Sequence, residues 1–268
     1  MGKTIVCWSP VHGQAGNTSN TVAMAAVAAL EQSFSSLLTH TQFSFSTMEG
    51  MFRKRDEQGF DDGGIVALKR LVKSKLLKPD DVPDYTETIY KSRLDFLAGG
   101  NFNEDGNEAE IMLNTILRAA QNQYDLLWID AHSGSANELT TQLLRQADMV
   151  LVNLPQNKYI VDQFLTSSIY LNELQDKPFT ILVGKYDDKA GYSVRNMNRQ
   201  HKLKVPVFGI PYETGFRNAA NQDSVTEFFF RASKAEKGDT YYPFIQAIRE
   251  VNGSILKSLE LQMEDEWV

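Results

Sequence analysis

Residues 8–25 read WSPVHGQAGNTSNTVAMA. A short apolar run at 4–8 leads into a turn with Gly13 and Gly16, and Thr18 and Ser19 then open an alanine-rich segment. A glycine-rich turn between a buried strand and a helix N-terminus is an anion site. Its N–H groups point inward, and the helix dipole adds roughly half a positive charge. The chemistry of such a turn is phosphate binding, by Gly13, Gln14, Ala15, Gly16, Asn17, Thr18 and Ser19. A nucleotide loop of this shape carries a lysine just before the Thr; here the position is Asn17. A second candidate lies in YDLLWIDAHSG, 124–134. Asp130 ends an apolar run there, at a strand tip where a carboxylate could hold Mg²⁺. The carboxylate of Asp130 is a candidate metal ligand, and Gly134 would suit a mobile switch loop.

Alternating short apolar runs and longer helical stretches must position these groups. The expected strands are 4–8, 36–41, 94–98, 126–130, 149–154, 179–184 and 207–210, rich in Val, Ile, Leu and Phe. They lack sustained polar alternation, as strands covered on both faces do. The expected helices are 21–32, 108–121, 138–146, 158–172 and 191–200. This order predicts an α/β fold with a doubly wound, mostly parallel sheet and helices on both faces. The polar stretches RKRDEQGFDDGG and KPDDVPDY, punctuated by Gly, Pro and Asp, read as loops. The helix expected between them places Lys69, Arg70, Lys73 and Lys78 toward solvent, as a charged face or a docking face for an acidic partner.

With 268 residues, 42% of them hydrophobic, the chain can bury one full core, and the reading is a single domain over 1–268. No apolar run approaches the roughly 20 residues of a membrane-spanning helix. The N-terminus reads as a strand rather than a leader. The single cysteine, Cys7, sits in an apolar run and reads as a small core residue. These features favour the cytoplasm. A net charge of −7 disfavours nucleic-acid binding through bulk charge, though not through a local basic patch.

Two later stretches complete a pattern: LLRQADMVLVNLPQN, and VPVFGIPYETGFRNAANQDSVTEFF at 205–229. With the loop and Asp130 they resemble the ParA/MinD family of deviant Walker P-loop ATPases, of the SIMIBI class, from Thr4 to about Phe229. The most specific match is late, where Gly209-Ile210-Pro211, Glu213, Arg217, Ala219-Ala220 and Val225 fall as in that family. The resemblance implies ATP and Mg²⁺ as ligands, with Thr18 and Asp130 as the metal ligands, and adds Pro211 and Tyr212 to the nucleotide-binding set. It also implies a nucleotide-sandwich homodimer and a role in positioning cargo such as plasmids, division inhibitors, pili or secretion machines.

The departures fall on charge. Laid on the family loop, His12 takes the position of the signature lysine and Asn17 that of the Walker lysine, while Thr18 and Asp130 remain. His40 and Gln42 stand where the family places aspartates at the tip of its second strand. Phosphoryl transfer rests on positioning and electrostatic stabilisation, and each lost charge-assisted contact costs about 1.5–3 kcal/mol. The expectation is a pseudo-ATPase that binds ATP weakly or not at all. It would act as a non-hydrolysing scaffold or positioning component of pilus, secretion or conjugation machinery. The alternative is a weak or regulated ATPase that positions cargo or partitions DNA. Pilus-assembly members without the Walker lysine usually carry an N-terminal receiver-like domain, for which this chain has no room.

In the family alignment His12, His40 and His132 fall near a γ-phosphate. They read as polar loop residues facing solvent; the alternatives are a transition-metal site with Asp130 or a pH-sensitive anion site. A Ser–His hydrolase reading of HSGS lacks the G-x-S-x-G turn. Near the C-terminus, Ile248, Val251, Ile255, Leu256 and Leu259 form an apolar stripe that is expected to pack on the domain, with partner docking second. The acidic end, LELQMEDEWV, argues against a lipid-binding helix, and Trp267 is a loose end or a short anchor.

Overall fold

A computed structural model of the chain describes residues 1–42, 46–52, 63–99, 106–134, 138–167, 172–174 and 177–261. Eight strands form one sheet: β1 (Lys3–Trp8), β2 (Ser36–His40), β3 (Glu87–Tyr90), β4 (Leu94–Leu97), β5 (Leu126–Asp130), β6 (Met149–Pro155), β7 (Phe179–Tyr186) and β8 (Val207–Pro211). Their spatial order is β3-β4-β2-β5-β1-β6-β7-β8. Every neighbouring pair is parallel except β3 with β4.

The apolar runs work because both sides of the sheet are covered. Side chains alternate between faces along a strand, and here both sets are buried. Ile5, Cys7, Leu38, Phe96, Trp128, Leu151 and Leu182 belong to one core. Helices α1 (Asn17–Glu31), α8 (Thr214–Asn221), α9 (Val225–Ala232) and α10 (Tyr242–Ser258) contribute to that core. The alternate residues Val6, Trp8, Leu37, Leu127, Ile129, Val150, Val152 and Val183 belong to the other. Its helices are α3 (Gly64–Lys73), α4 (Gly106–Gln121), α5 (Glu138–Gln146), α6 (Lys158–Thr166) and α7 (Val194–His201). A short helix, α2 (Thr47–Phe52), packs on the first core through Met48. The expected α/β, doubly wound, mostly parallel architecture is the one observed.

The seven expected strands are all present. β3 was not expected: it is four residues long, antiparallel, and its outer residues are exposed, so no apolar run marks it. KPDDVPDY forms a 3-10 turn, Pro79–Tyr85, rather than open loop, with the Asp81 carboxylate accepting from the Lys78 N–H at 2.7 Å. α3 stops at Lys73 because the chain turns left-handed at Lys75, φ 58°. Lys69 does not face solvent as expected; it is 7% exposed, on the inner side of α3, while Arg70, Lys73 and Lys78 are exposed. The loop expected at 53–64 lies outside the described residues over 53–62, as do Trp267 and the rest of 262–268. The C-terminal stripe is buried: Ile248, Val251, Ile255, Leu256 and Leu259 are inside, and Asn252 Nδ2 donates to the Met24 carbonyl of α1 at 3.1 Å. No helix among the described residues is long and apolar enough to cross a membrane.

This topology brings the candidate residues to one edge. Parallel strands point their C-terminal tips the same way, and ligands of such sheets bind outside those tips. β1 lies between β5 and β6, with Cys7 opposite Asp130 and Trp8 opposite Val152. The turn after β1 therefore sits beside Asp130 and against the tip of β7, where Gly184 packs on the Ala15 carbonyl. A Cβ at Gly184 would collide with that carbonyl oxygen and crowd Asn20 Nδ2 at 3.2 Å. Gly184→Ala is accordingly expected to lower stability by about 1–3 kcal/mol, the usual range for overpacking, read from urea unfolding. An unchanged midpoint would show that the turn does not rest on β7.

Candidate functional site

The turn owes its shape to two glycines. Gly13 and Gly16 both have φ 69°, the left-handed region that side chains disfavour. Gly16 is the N-cap of α1, with no side-chain cap and no acidic residue in the first turn, so no side chain of the helix itself offsets its positive end. His12, Gly13 and Gln14 are exposed, Ala15 and Asn17 are buried, and Thr18 and Ser19 are half-buried.

Asn17 does not face the turn's interior as a phosphate ligand would. Its Nδ2 donates to Asp130 Oδ1 at 2.5 Å and to the Cys7 carbonyl at 3.1 Å. Its Oδ1 accepts from Asn153 Nδ2 at 2.6 Å, and Asn153 Oδ1 accepts from Asn20 Nδ2 at 2.7 Å. Thr18 Oγ1 donates to the other oxygen of Asp130 at 2.7 Å. Four buried polar side chains thus form one directional chain that ends on a carboxylate. Buried polar groups are costly unless bonded in this way. The chain stitches together α1, β1, β5 and β6.

Asp130 is fully buried, and burial pushes its carboxyl up from 3.8 to about 6. The hydrogen bond from Thr18, the His40 ring and the hydrogen bond from Asn17 oppose that rise without cancelling it. Cys7 is buried and its thiol is pushed up to about 12 by the same desolvation, so it is a core residue rather than a nucleophile.

The histidines divide. His12 and His132 meet, with ring centroids 5.2 Å apart, and burial followed by the nearby His12 holds His132 below its ordinary value. His132 Nδ1 lies 2.9 Å from Gln42 Oε1. His40 is 1% exposed, against the expectation of a solvent-facing loop residue. It ends β2, where burial of the strand tip carries it inside, and its Nε2 lies 3.2 Å from Glu49 Oε1 of α2. Among the described residues no three His, Cys, Asp or Glu side chains group as metal ligands. Gly134 is tied at both ends: its N–H donates to the Ser9 carbonyl at 2.9 Å, and its carbonyl accepts from Trp8 Nε1 at 3.0 Å. Ser135, of the HSGS stretch, lies outside the described residues.

Asn17, Thr18 and Asp130 are brought into contact. Pro211 and Tyr212 are not joined to them: Pro211 ends β8, the third strand out from β1, and the exposed Tyr212 hydroxyl accepts from Arg217 at 2.9 Å. Sequence reasoning missed Asn20, Asn153 and Glu49. Asn153 did carry a signal, as the one amide in the apolar run MVLVNLP. Asn20 carried a weaker one, three residues after Asn17 and so on the same helix face.

No family model matches the sequence, and no curated protein matches it either. Solved structures do. A ParA family ATPase from Chlorobium tepidum TLS superposes with a TM-score of 0.71 at 11% identity, over 94% of this chain and 99% of that one. A plasmid partition protein from Borrelia burgdorferi B31, bound to AMPPNP, gives 0.66 at 14% identity, over 95% and 100%. The MinC:MinD cell division complex of Aquifex aeolicus gives 0.66 at 15%, over 100% and 98%. These neighbours are ATPases of the ParA/MinD family, the family the motifs resemble, and at such identities the likeness is one of fold.

Asp130 gives the site a pH signature. With its pKa raised on folding, the folded chain holds this proton more tightly than the unfolded chain does. The stability it contributes is full below about 3.8 and is lost as pH rises through about 6. The swing is roughly 3 kcal/mol. Asp130→Asn, which cannot ionise, should lose less stability between about pH 4 and pH 7 than the wild type. Urea midpoints across that range measure it, and parallel pH profiles for the two proteins would contradict it.

Proposed function

We propose that this chain, built on the ParA/MinD ATPase fold, is a non-hydrolysing member of that group. It serves as a scaffold or positioning component of a larger assembly, such as pilus, secretion or conjugation machinery. The observation that carries this reading is the inward turn of Asn17: the side chain at the Walker-lysine position is spent on Asp130, Cys7 and Asn153. Phosphoryl transfer depends on charge placed against the transferring group, and an asparagine held in this way supplies none.

Nucleotide binding, on this reading, is weak rather than absent by design. The backbone of Gly13, Gln14, Ala15, Gly16 and Ser19 would cradle phosphate, with Pro211 and Tyr212 toward the base. For Mg²⁺ the donor set fits one contact. The Thr18 hydroxyl keeps its lone pairs while donating to Asp130, and Asp130 orients it from a buried position. Thr18 would hold the ion, which would supply positive charge against phosphate oxygens. Replacing two lysine contacts by neutral or weakly basic groups costs about 1.5–3 kcal/mol each in affinity.

The architecture suits a homodimer with protein partners, acting in the cytoplasm or at the inner membrane face through a partner. A second reading, a weak ATPase that partitions DNA, draws on α7. Arg195 and Arg199 are exposed at i and i+4 on the helix, and Lys202, its left-handed C-cap, is exposed just beyond, on a chain whose net charge is −7. Salt-sensitive binding to non-specific duplex DNA separates the two.

Phosphate release from Mg-ATP by the purified chain is expected at background. Turnover at the rates of an active ATPase would remove the non-hydrolysing reading. Asn17→Lys should raise ATP affinity by about tenfold or more, measured by calorimetry. It should also cost about 1–3 kcal/mol of stability, because the Asn153 N–H loses its acceptor. No gain in affinity would show that the cradle is closed to nucleotide.

A further inference from the structure

Lys185 stands where β7 slips against β8: Gly184 pairs with Ile210 and Tyr186 with Pro211, so Lys185 is left without an opposite. Its φ is 51°, a left-handed conformation uncommon for a side chain of this kind. Bulges of this type re-aim a side chain, often beside a functional site. Here the side chain is aimed at the loop. Its Nζ donates to the Gly13 carbonyl at 3.5 Å, and its Cε lies 4.0 Å from where a Cβ on Gly16 would stand. The neighbouring Gly184 is seated on the Ala15 carbonyl, so the tip of β7 and the loop are held together. The lysine is exposed, and its long hydrogen bond goes to a neutral acceptor that a charged one would displace.

We infer that Lys185 is the loop's replacement cation: it leaves the Gly13 carbonyl for the terminal phosphates of a nucleoside di- or triphosphate, supplying from β7 the charge that Asn17 lacks. The inference rests on the cradle reading proposed above, and deepens it. A charge delivered from a bulged strand edge neutralises phosphate oxygens, while Asn17 stays bound to Asp130 and Asn153. The contact bears on how tightly the ligand is held, not on its turnover.

Calorimetry on the full chain tests this, using ADP, ATP and inorganic tripolyphosphate, each with Mg²⁺. Wild type is compared with Lys185→Met, which keeps the stem and loses the charge, and with Lys185→Arg. The expected result is binding by the wild type, a loss of about tenfold or more in Lys185→Met for all three ligands, and recovery of most of that affinity in Lys185→Arg. Thermal unfolding should be unchanged, since the residue is exposed. Equal affinity in wild type and Lys185→Met overturns the inference, as does a wild type that binds none of the three. Tripolyphosphate bound as tightly as ATP would assign the contact to the phosphate chain alone. Phosphate release from ATP would instead sink the non-hydrolysing reading while leaving the Lys185 contact standing.

Discussion

The hydrogen bonds of the Asn17 amide decide how the rest of the site is built. A buried carboxylate needs donors, and Asp130 takes one from Asn17 and one from Thr18. Asn153 and Asn20 lie beside them in the interior, and each needs an acceptor. Asn17 serves both needs because its amide carries a donor and an acceptor. A lysine has three donors and no acceptor, so it could not receive the Asn153 N–H. The three asparagines therefore fit one another, and Asn17 is coupled to Asn153 through that hydrogen bond.

That coupling fixes the loop from within the protein. The polar chain joins the tips of β1, β5 and β6 to the first turn of α1, and the contact of Gly184 with Ala15 adds β7. Gly13 and Gly16 supply the left-handed corners. The outcome is a preformed loop; as the anion cradle proposed above, its positive contributions would be the dipole of α1 and a lysine at its rim. Preorganisation lowers the cost of binding. Catalysis asks for more, because it needs charge where charge develops. On the proposed reading, the same geometry favours recognition over reaction.

Much of the fold was legible in the sequence because the strands are buried on both faces. Runs such as TIVCW and LLWID advertise that burial, and all seven such runs became strands. β3 was not legible because an exposed antiparallel edge strand of four residues carries no apolar signature. Lys69 misled for a related reason: helical spacing alone does not tell a buried lysine from a solvated one. In the site, Gly13, Gly16, Thr18 and Asp130 were visible as residues of a loop and a strand tip. The direction of the Asn17 side chain was not, since it is set by Asn153, 136 positions away. His40 was read as exposed because a strand's polar end usually is; here Glu49 of α2 lies beside it and the ring is inside. Long-range polar pairing is the part of this molecule that periodicity does not encode.

The most direct test of the account is a double-mutant cycle between Asn17 and Asn153, with unfolding free energies for Asn17→Ala, Asn153→Ala and the pair. If the two amides form one buried network, the single changes are strongly non-additive, with a coupling of about 0.5–3 kcal/mol. Additivity within about 0.3 kcal/mol would mean that Asn17 is not held by Asn153, and the inward-turned amide on which this account depends would be wrong.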